Sequence, residues 1–215
     1  MEKFKKSLKW IIFALCIIAI IEILYGIIKY KVLPIDSWAI ENIVKNGRND
    51  IVTEILKIVT FFGEAKLLIP VGILGSAIGF FFFKDNKRTI CFAGNLVFVA
   101  GMNWAIKHVV QRPRPDESLR LVTEDGYSYP SGHAMVTTAF YGLIIFFVYN
   151  NVENKLLRNL ICVGLSLLII LIDFSRVYLG VHYVTDVLSG SLISIAYLIV
   201  ATTIAKKYMF KDNEN

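Results

Sequence analysis

Residues 10–28 read WIIFALCIIAIIEILYGII, nineteen positions carrying one charge, Glu22. A helix needs roughly 20 mostly apolar residues to cross about 30 Å of hydrocarbon, so this stretch predicts a membrane span. The basic start, MEKFKKSLK, would also suit a cleaved secretory leader. No small-x-small cleavage site follows, and the run closes on Ile27-Ile28-Lys29-Tyr30, so a retained first span is expected. A carboxylate in lipid is costly, which predicts that Glu22 faces other helices or lies near an interface.

Five further stretches, about 67–83, 89–106, 134–152, 156–175 and 187–205, repeat the pattern with almost no charge. The expected fold is all-α, a polytopic six-transmembrane-helix bundle in which residues 1–215 form a single integral-membrane domain. Gly72, Gly75, Ser76 and Gly79 in the second span would allow close helix contact. Between spans one and two, Lys31 to Lys66 is too charged to cross. Ile35, Trp38, Ile43 and Val44, then Ile51, Val52, Ile55, Leu56 and Val59, recur at helical spacing on either side of an Asn46-Gly47 turn. That pattern predicts interfacial amphipathic helices, with Trp38 as an anchor.

Composition excludes several classes. The chain is 56% hydrophobic and only 19% charged, where a soluble domain carries about a quarter charged residues. Its net charge of +6 could suggest nucleic acid. Its lysines flank apolar runs, however, and no basic stripe is interleaved with stacking aromatics, so no nucleic-acid partner is expected. Cys16, Cys91 and Cys162 lie inside apolar runs without CxxC spacing or a nearby His, and read as packing residues. With six spans, both termini share a side. That side and its two hairpins carry 12 Lys+Arg against 5 Asp+Glu, and the remainder 11 against 12. Lys and Arg orient a chain, and Lys107, Arg114 and Arg176 in the remainder have another use. The expectation is a multi-pass cell-membrane protein with cytoplasmic termini and an extracytoplasmic active face.

Counting spans puts segment 107–133 on the same face as segment 176–186. Lys107, His108, Arg112 and Arg114 crowd the first, while Pro113 and Pro115 stiffen it and stop the third helix. Alone, these read as a basic cap touching lipid headgroups. Tyr129-Pro130-Ser131-Gly132-His133 leads into an apolar helix whose first N–H groups offer an anion site, or a simple helix cap. Ser175-Arg176, five residues, His182, three residues and Asp186 complete the set. His182 and Asp186 are four apart and share a helix face. A carboxylate on one ring nitrogen fixes the tautomer and leaves the other nitrogen as a lone pair, an oriented nucleophile or base. His133, His182 and Asp186 could also ligate zinc, but Lys107, Arg114 and Arg176 would repel a cation and attract an oxyanion. Three fixed positive charges suit a phosphoryl group, whose transition state spreads charge over its oxygens.

These pieces resemble the signature of the type 2 phosphatidic acid phosphatase family: Lys, six residues, Arg-Pro; Pro-Ser-Gly-His; Ser-Arg, five residues, His, three residues, Asp. Lys107 with Arg114-Pro115, Pro130 to His133, and Ser175-Arg176 with His182 and Asp186 match it at every position. The resemblance implies a lipid phosphatase in which His182 attacks phosphorus and forms a phosphohistidine, with Asp186 orienting it. His133 would protonate the leaving oxygen and then help activate water. Lys107, Arg114, Arg176, Ser131 and the Gly132 N–H would hold phosphate oxygens, with no metal and no other cofactor. The implied partner is a membrane lipid phosphate: phosphatidylglycerol phosphate, undecaprenyl diphosphate or phosphatidic acid. Arg112 and His108 fall outside the pattern and receive no catalytic role. Asp173, three residues before Arg176 on the same helical face, has two readings, a partner for Arg176 or a helix-end carboxylate in a wet region. Tyr127 and Tyr129 are expected at the head-group entrance or as interface anchors.

Two other readings compete. Vanadium-dependent haloperoxidases share the constellation but are soluble. A non-catalytic lipid-binding or transport protein on the same fold would not need His182, His133 and Asp186 together. Oligomeric state is left open.

Overall fold

The computed structural model describes residues 2–81 and 86–209. Its elements run α1 (Glu2–Tyr30), α2 (Pro34–Ala39) with a π-helical turn (Ile40–Lys45), α3 (Asp50–Phe61), α4 (Ala65–Phe81), α5 (Asn86–Val110), a 3-10 turn (Glu117–Leu119), α6 (Gly132–Asn151), α7 (Lys155–Tyr178) and α8 (Val184–Met209). Six stretches are long and apolar enough to cross a membrane, with α3 and α4 together forming one of them. Ile28, Phe81, Val97 and Leu156 are each at least 70% exposed. Such an apolar exterior suits lipid and not water, and the protein is a multi-pass membrane protein. Glu22 is exposed on α1 and does not turn toward another helix.

The bundle is built around α6. In its apolar window 44% of residues are buried, against 17–28% in the other spans, because it packs against α5, α7 and α8 at once. Small residues on α6 let neighbours approach: Ala139 joins Met135 and Val99 in one core cluster. Phe140 and Tyr141 join Leu68 and Ile172 in another. Polar side chains tie helices through the apolar interior. Asn95 Nδ2 donates to the Ala139 carbonyl at 3.2 Å, and Ser194 Oγ to the Met135 carbonyl at 2.7 Å. Each such bond in a membrane is worth about 0.6–2 kcal/mol.

The ends of the bundle are chemically distinct. Lys9 Nζ donates to Thr203 Oγ1 at 2.9 Å, while the Lys31 carbonyl accepts from Arg112 at 2.7 Å. The intervening stretch of α1 is about 33 Å long, so the Lys9–Thr203 contact and the polar motifs lie at opposite ends. Between α1 and α4 the chain runs across the motif end. The Asn49 N–H donates to the Tyr178 hydroxyl at 2.7 Å, and Gly63 lies against Ile172. Helix over that stretch measures about 21 Å, yet Tyr178 and Ile172 are only about 9 Å apart along α7. α3 packs against the end of α7 over that stretch. Asn49 caps it, its side chain accepting from Ile51 N at 2.9 Å.

The tip of α7 anchors the long α5–α6 loop. Gly180 has φ +77°, the left-handed conformation that closes helices, and a Cβ there would sit 2.2 Å from the Leu119 carbonyl. Arg48 Nη2 donates to that carbonyl at 2.6 Å and to the Tyr178 carbonyl at 2.9 Å. The Leu121 N–H donates to the Leu179 carbonyl at 2.9 Å.

Candidate active site

The three motifs meet at this end. Backbone pairing sets their register: Ser128 N–H donates to the Arg112 carbonyl at 2.8 Å, and Ser131 N–H to the Asp186 carbonyl at 3.0 Å. Ser131 itself is fully buried and caps α6, accepting from Ala134 N at 3.4 Å.

Asp186 lies in the first turn of α8 and is fully buried. Its Oδ2 accepts from the Tyr183 N–H at 2.9 Å, half of a capping box, and from the Ser128 hydroxyl. Its Oδ1 accepts from Arg112 Nη1 at 2.5 Å. Arg112 is 3% exposed and reaches a second buried carboxylate, Asp36 on α2, at 2.8 Å. Thr185 links the same groups. Its hydroxyl accepts from Arg112 at 2.8 Å and donates to Asp36 at 2.8 Å. The Tyr183 ring covers the guanidinium at 4.1 Å. One arginine thus pairs with two carboxylates that burial alone would make very costly.

His182 stands in front of Asp186, its Nδ1 3.6 Å from Oδ2, somewhat longer than a hydrogen bond. Its Nε2 lies 3.0 Å from Arg114 Nη1. A guanidinium can only donate, so Nε2 holds a lone pair and the neutral ring carries its proton on Nδ1, facing Asp186. Burial first, then the positive charges of Arg114, Arg176 and Lys107, holds His182 well below the ordinary imidazole value of 6.5. The ring is therefore neutral at physiological pH, with a lone pair on Nε2.

Around it lie the cations. Arg114 also donates to the carbonyls of Asp125 at 2.8 Å, Gly126 at 3.0 Å and Val181 at 2.9 Å. Lys107, in the last turn of α5, donates to the Tyr127 carbonyl and interacts electrostatically with Arg114, Arg176, Asp186 and Glu124. Arg176 donates to Thr60 Oγ1 at 2.8 Å and pairs with Glu124 at 2.6 Å. A cavity of about 270 Å³ opens over Arg176 and His133, bordered by Glu64, Lys66, Val122 and Glu124. Among the described residues, neither His133 Nε2 nor Arg176 Nε has a hydrogen-bond partner, though both atoms are buried. Buried polar atoms are seldom left so, and the two residues that carry them border one cavity. Gly132 lies beside Asn103 Oδ1, which a Cβ would approach to 3.2 Å.

Some expectations fail. Asp173 does not pair with Arg176. It accepts from Ser191 on α8 at 2.5 Å, while Arg176 turns to Thr60 and Glu124. Tyr129 is only 1% exposed and lines an apolar groove between α1, α5 and α8, so it is not at a head-group entrance. His108 binds the Trp104 carbonyl at 2.8 Å on the exposed side of α5. Arg112, Asp36, Thr60 and Glu124 are the groups that sequence reading passed over. A charged residue predicted within an interfacial helix, such as Asp36, gives no sign that its partner lies 76 residues away.

Residues 88–210 match the sequence model of the PAP2 superfamily. Dolichyldiphosphatase 1 of Rhinolophus ferrumequinum is 35% identical over 142 residues, 60% of this chain and 60% of that protein. Phosphatidylglycerophosphatase B of Bacillus subtilis is 32% identical over 140 residues, 64% of this chain and 67% of that protein. The matches thus span about three fifths to two thirds of these relatives. The crystal structure of a transmembrane PAP2-type phosphatidylglycerolphosphate phosphatase from Bacillus subtilis shares the fold. Its TM-score is 0.82 at 24% identity, covering 91% of this chain and 96% of that one. Aquifex aeolicus LpxE gives a TM-score of 0.57 at 24% identity, covering 77% and 91%.

Proposed function

This chain belongs to the PAP2 superfamily, and from that premise we propose that it hydrolyses the terminal phosphate of a membrane lipid through a phosphohistidine on His182. The observation that carries the reading is the state of that ring. Its Nε2 lone pair is set by Arg114, its Nδ1 proton points toward a buried carboxylate, and it stays neutral among three cations.

In the first step Arg114 turns from Nε2 to the phosphate oxygens, and Nε2 attacks phosphorus. The bond from phosphorus to the leaving lipid oxygen breaks, and that oxygen takes a proton from His133 Nε2, which enters the step as an imidazolium paired with the bound phosphate dianion. Asp186 stabilises the charge gained by His182 through Nδ1–H, as an orienting carboxylate does in hydrolytic triads. Lys107, Arg114 and Arg176 balance the phosphoryl oxygens. In the second step His133 takes a proton from water as it attacks phosphorus, and the P–N bond breaks. Inorganic phosphate leaves and His182 regains its lone pair. These side chains supply the needed charge, so the scheme uses no metal.

The names of the relatives, a dolichyldiphosphatase and a phosphatidylglycerophosphatase, support lipid mono- or diphosphates as the substrate class. Phosphatidylglycerol phosphate, undecaprenyl diphosphate and phosphatidic acid are the candidates. We place the termini in the cytoplasm and the site at the extracytoplasmic face, on the lysine distribution. The test is phosphate release from those three lipids by detergent-purified protein in excess EDTA, beside His182→Ala. Release by the wild type alone supports the scheme. Abolition by EDTA refutes its metal independence, and no release from any lipid by folded protein refutes the activity.

A further inference from the structure

Among the side chains paired with the site's arginines, Glu124 is the one placed to leave. Its Oε2 lies 2.6 Å from Arg176 Nη2 and its Oε1 3.7 Å from Arg114 Nη2, one oxygen toward each arginine, as a phosphate would bridge them. It also interacts electrostatically with Lys107. The arginine side chains are only 2–3% exposed, whereas that of Glu124 is 28% exposed and sits on the α5–α6 loop. The same carboxylate borders the cavity over His133 and Arg176. The remaining charged groups at that cavity, Glu64 and Lys66, have opposite signs.

We infer that Glu124 is a tethered competitor for the phosphate subsite: it holds the two arginines until an anion displaces it, and so sets an affinity threshold that a phosphomonoester dianion passes and the phosphodiester monoanions of the bilayer do not. This rests on the phosphatase reading. A cationic subsite at a membrane surface is surrounded by phosphodiester headgroups, each with one negative charge on phosphorus. Left open, it would fill with them. A tethered group acts at a local concentration in the millimolar range or above, so a competitor with the same single charge gains little. A terminal phosphate, with a second pKa near about 6, brings close to two charges at neutral pH and displaces it. In binding terms Glu124 lowers the population of the open site, which weakens every anion by one common factor. The dianion, starting from higher affinity, still binds at working concentration.

The test is calorimetric binding of inorganic phosphate and of dimethyl phosphate, a diester monoanion, to the detergent-purified full chain. Wild type, Glu124→Gln and Glu124→Ala are compared. Charge-assisted hydrogen bonds of this kind predict that both anions bind about 10- to 100-fold tighter in both variants, by the same factor. In mixed micelles, excess phosphatidylglycerol should inhibit the variants where it does not inhibit the wild type. Unchanged or weaker anion binding in the variants overturns the inference. So does tightening confined to one anion, since Glu124 would then contact the bound ligand. Lipid turnover by wild type with no shift in the variants sinks the inference alone. Matched tightening with no turnover of any lipid sinks the phosphatase reading alone.

Discussion

Replacing Arg112 by Met removes one charge from between two buried carboxylates while keeping much of the side-chain volume. Arg112 donates to Asp186 at 2.5 Å and to Asp36 at 2.8 Å, and neither carboxylate side chain has solvent exposure. Removing one partner of a buried pair costs about 3–5 kcal/mol, because the other is left uncompensated. Two carboxylates are orphaned here, but each keeps neutral donors: Thr185 N–H at 3.0 Å for Asp36, and Ser128 and Tyr183 for Asp186. The expected loss therefore stays at about 3–5 kcal/mol and does not double. Adding Asp36→Asn should recover part of it, since the double variant no longer buries that unpaired charge. Melting of the four proteins in detergent by intrinsic fluorescence reads this directly. Activity should fall as well: Asp186 loses a bond that fixes its direction, and misplacing an orienting group costs about 100-fold in kcat. KM should move little, because Arg112 is not placed to touch the phosphate. An Arg112→Met protein that melts with the wild type and keeps its kcat would refute the reasoning. So would a double variant destabilised by the full sum of the two singles.

Three further outcomes are expected. Because His182 is held below 6.5 and acts in its neutral form, kcat/KM corrected for the substrate's own second ionisation near about 6 should stay flat as pH falls through the ordinary histidine range. An acid limb at 6.5 or above would contradict that, since kcat/KM reports the free enzyme. Asp186→Asn should lower kcat by about 10³–10⁴ through loss of the carboxylate that stabilises the charge gained by His182, and near-normal turnover would remove Asp186 from the mechanism. Gly63→Ala places a Cβ 2.9 Å from both His133 Cδ2 and Ile172 Cγ2. Overpacking of this kind costs about 1–3 kcal/mol, and tilting His133 should lower kcat more than it changes KM. Unchanged kinetics would mean that the α3–α4 turn yields and the ring does not.

The spans were legible because a hydrocarbon solvent imposes one demand over some twenty residues, and charge is nearly absent where it applies. The motifs were legible because their spacings lie within short segments: His182 and Asp186 are one helical turn apart, and Ser131 to His133 open a helix. Asp36 was not, because its chemistry depends on contact with Arg112 across the fold. Read locally, it is one more acid in an amphipathic stretch whose Ile35 and Trp38 face outward. Asp173 misled for the converse reason. Its spacing from Arg176 permits contact, but both side chains found nearer partners on other elements, Ser191 and Glu124. Glu124 sits in a loop with no periodicity to read, and only the folded chain brings it to Arg176.

The stretch from α2 to α3 bears on how this protein can be divided. The family-matched segment, 88–210, holds every motif residue, yet two of its arginines are completed from outside it: Arg112 by Asp36 and Arg176 by Thr60. A chimaera that exchanged the N-terminal third for that of a relative would inherit the whole signature with mismatched supports. The smallest unit that can be grafted with its chemistry intact therefore begins before Asp36, and homologous recombination within this superfamily should succeed or fail on whether those two side chains travel with the segment they support.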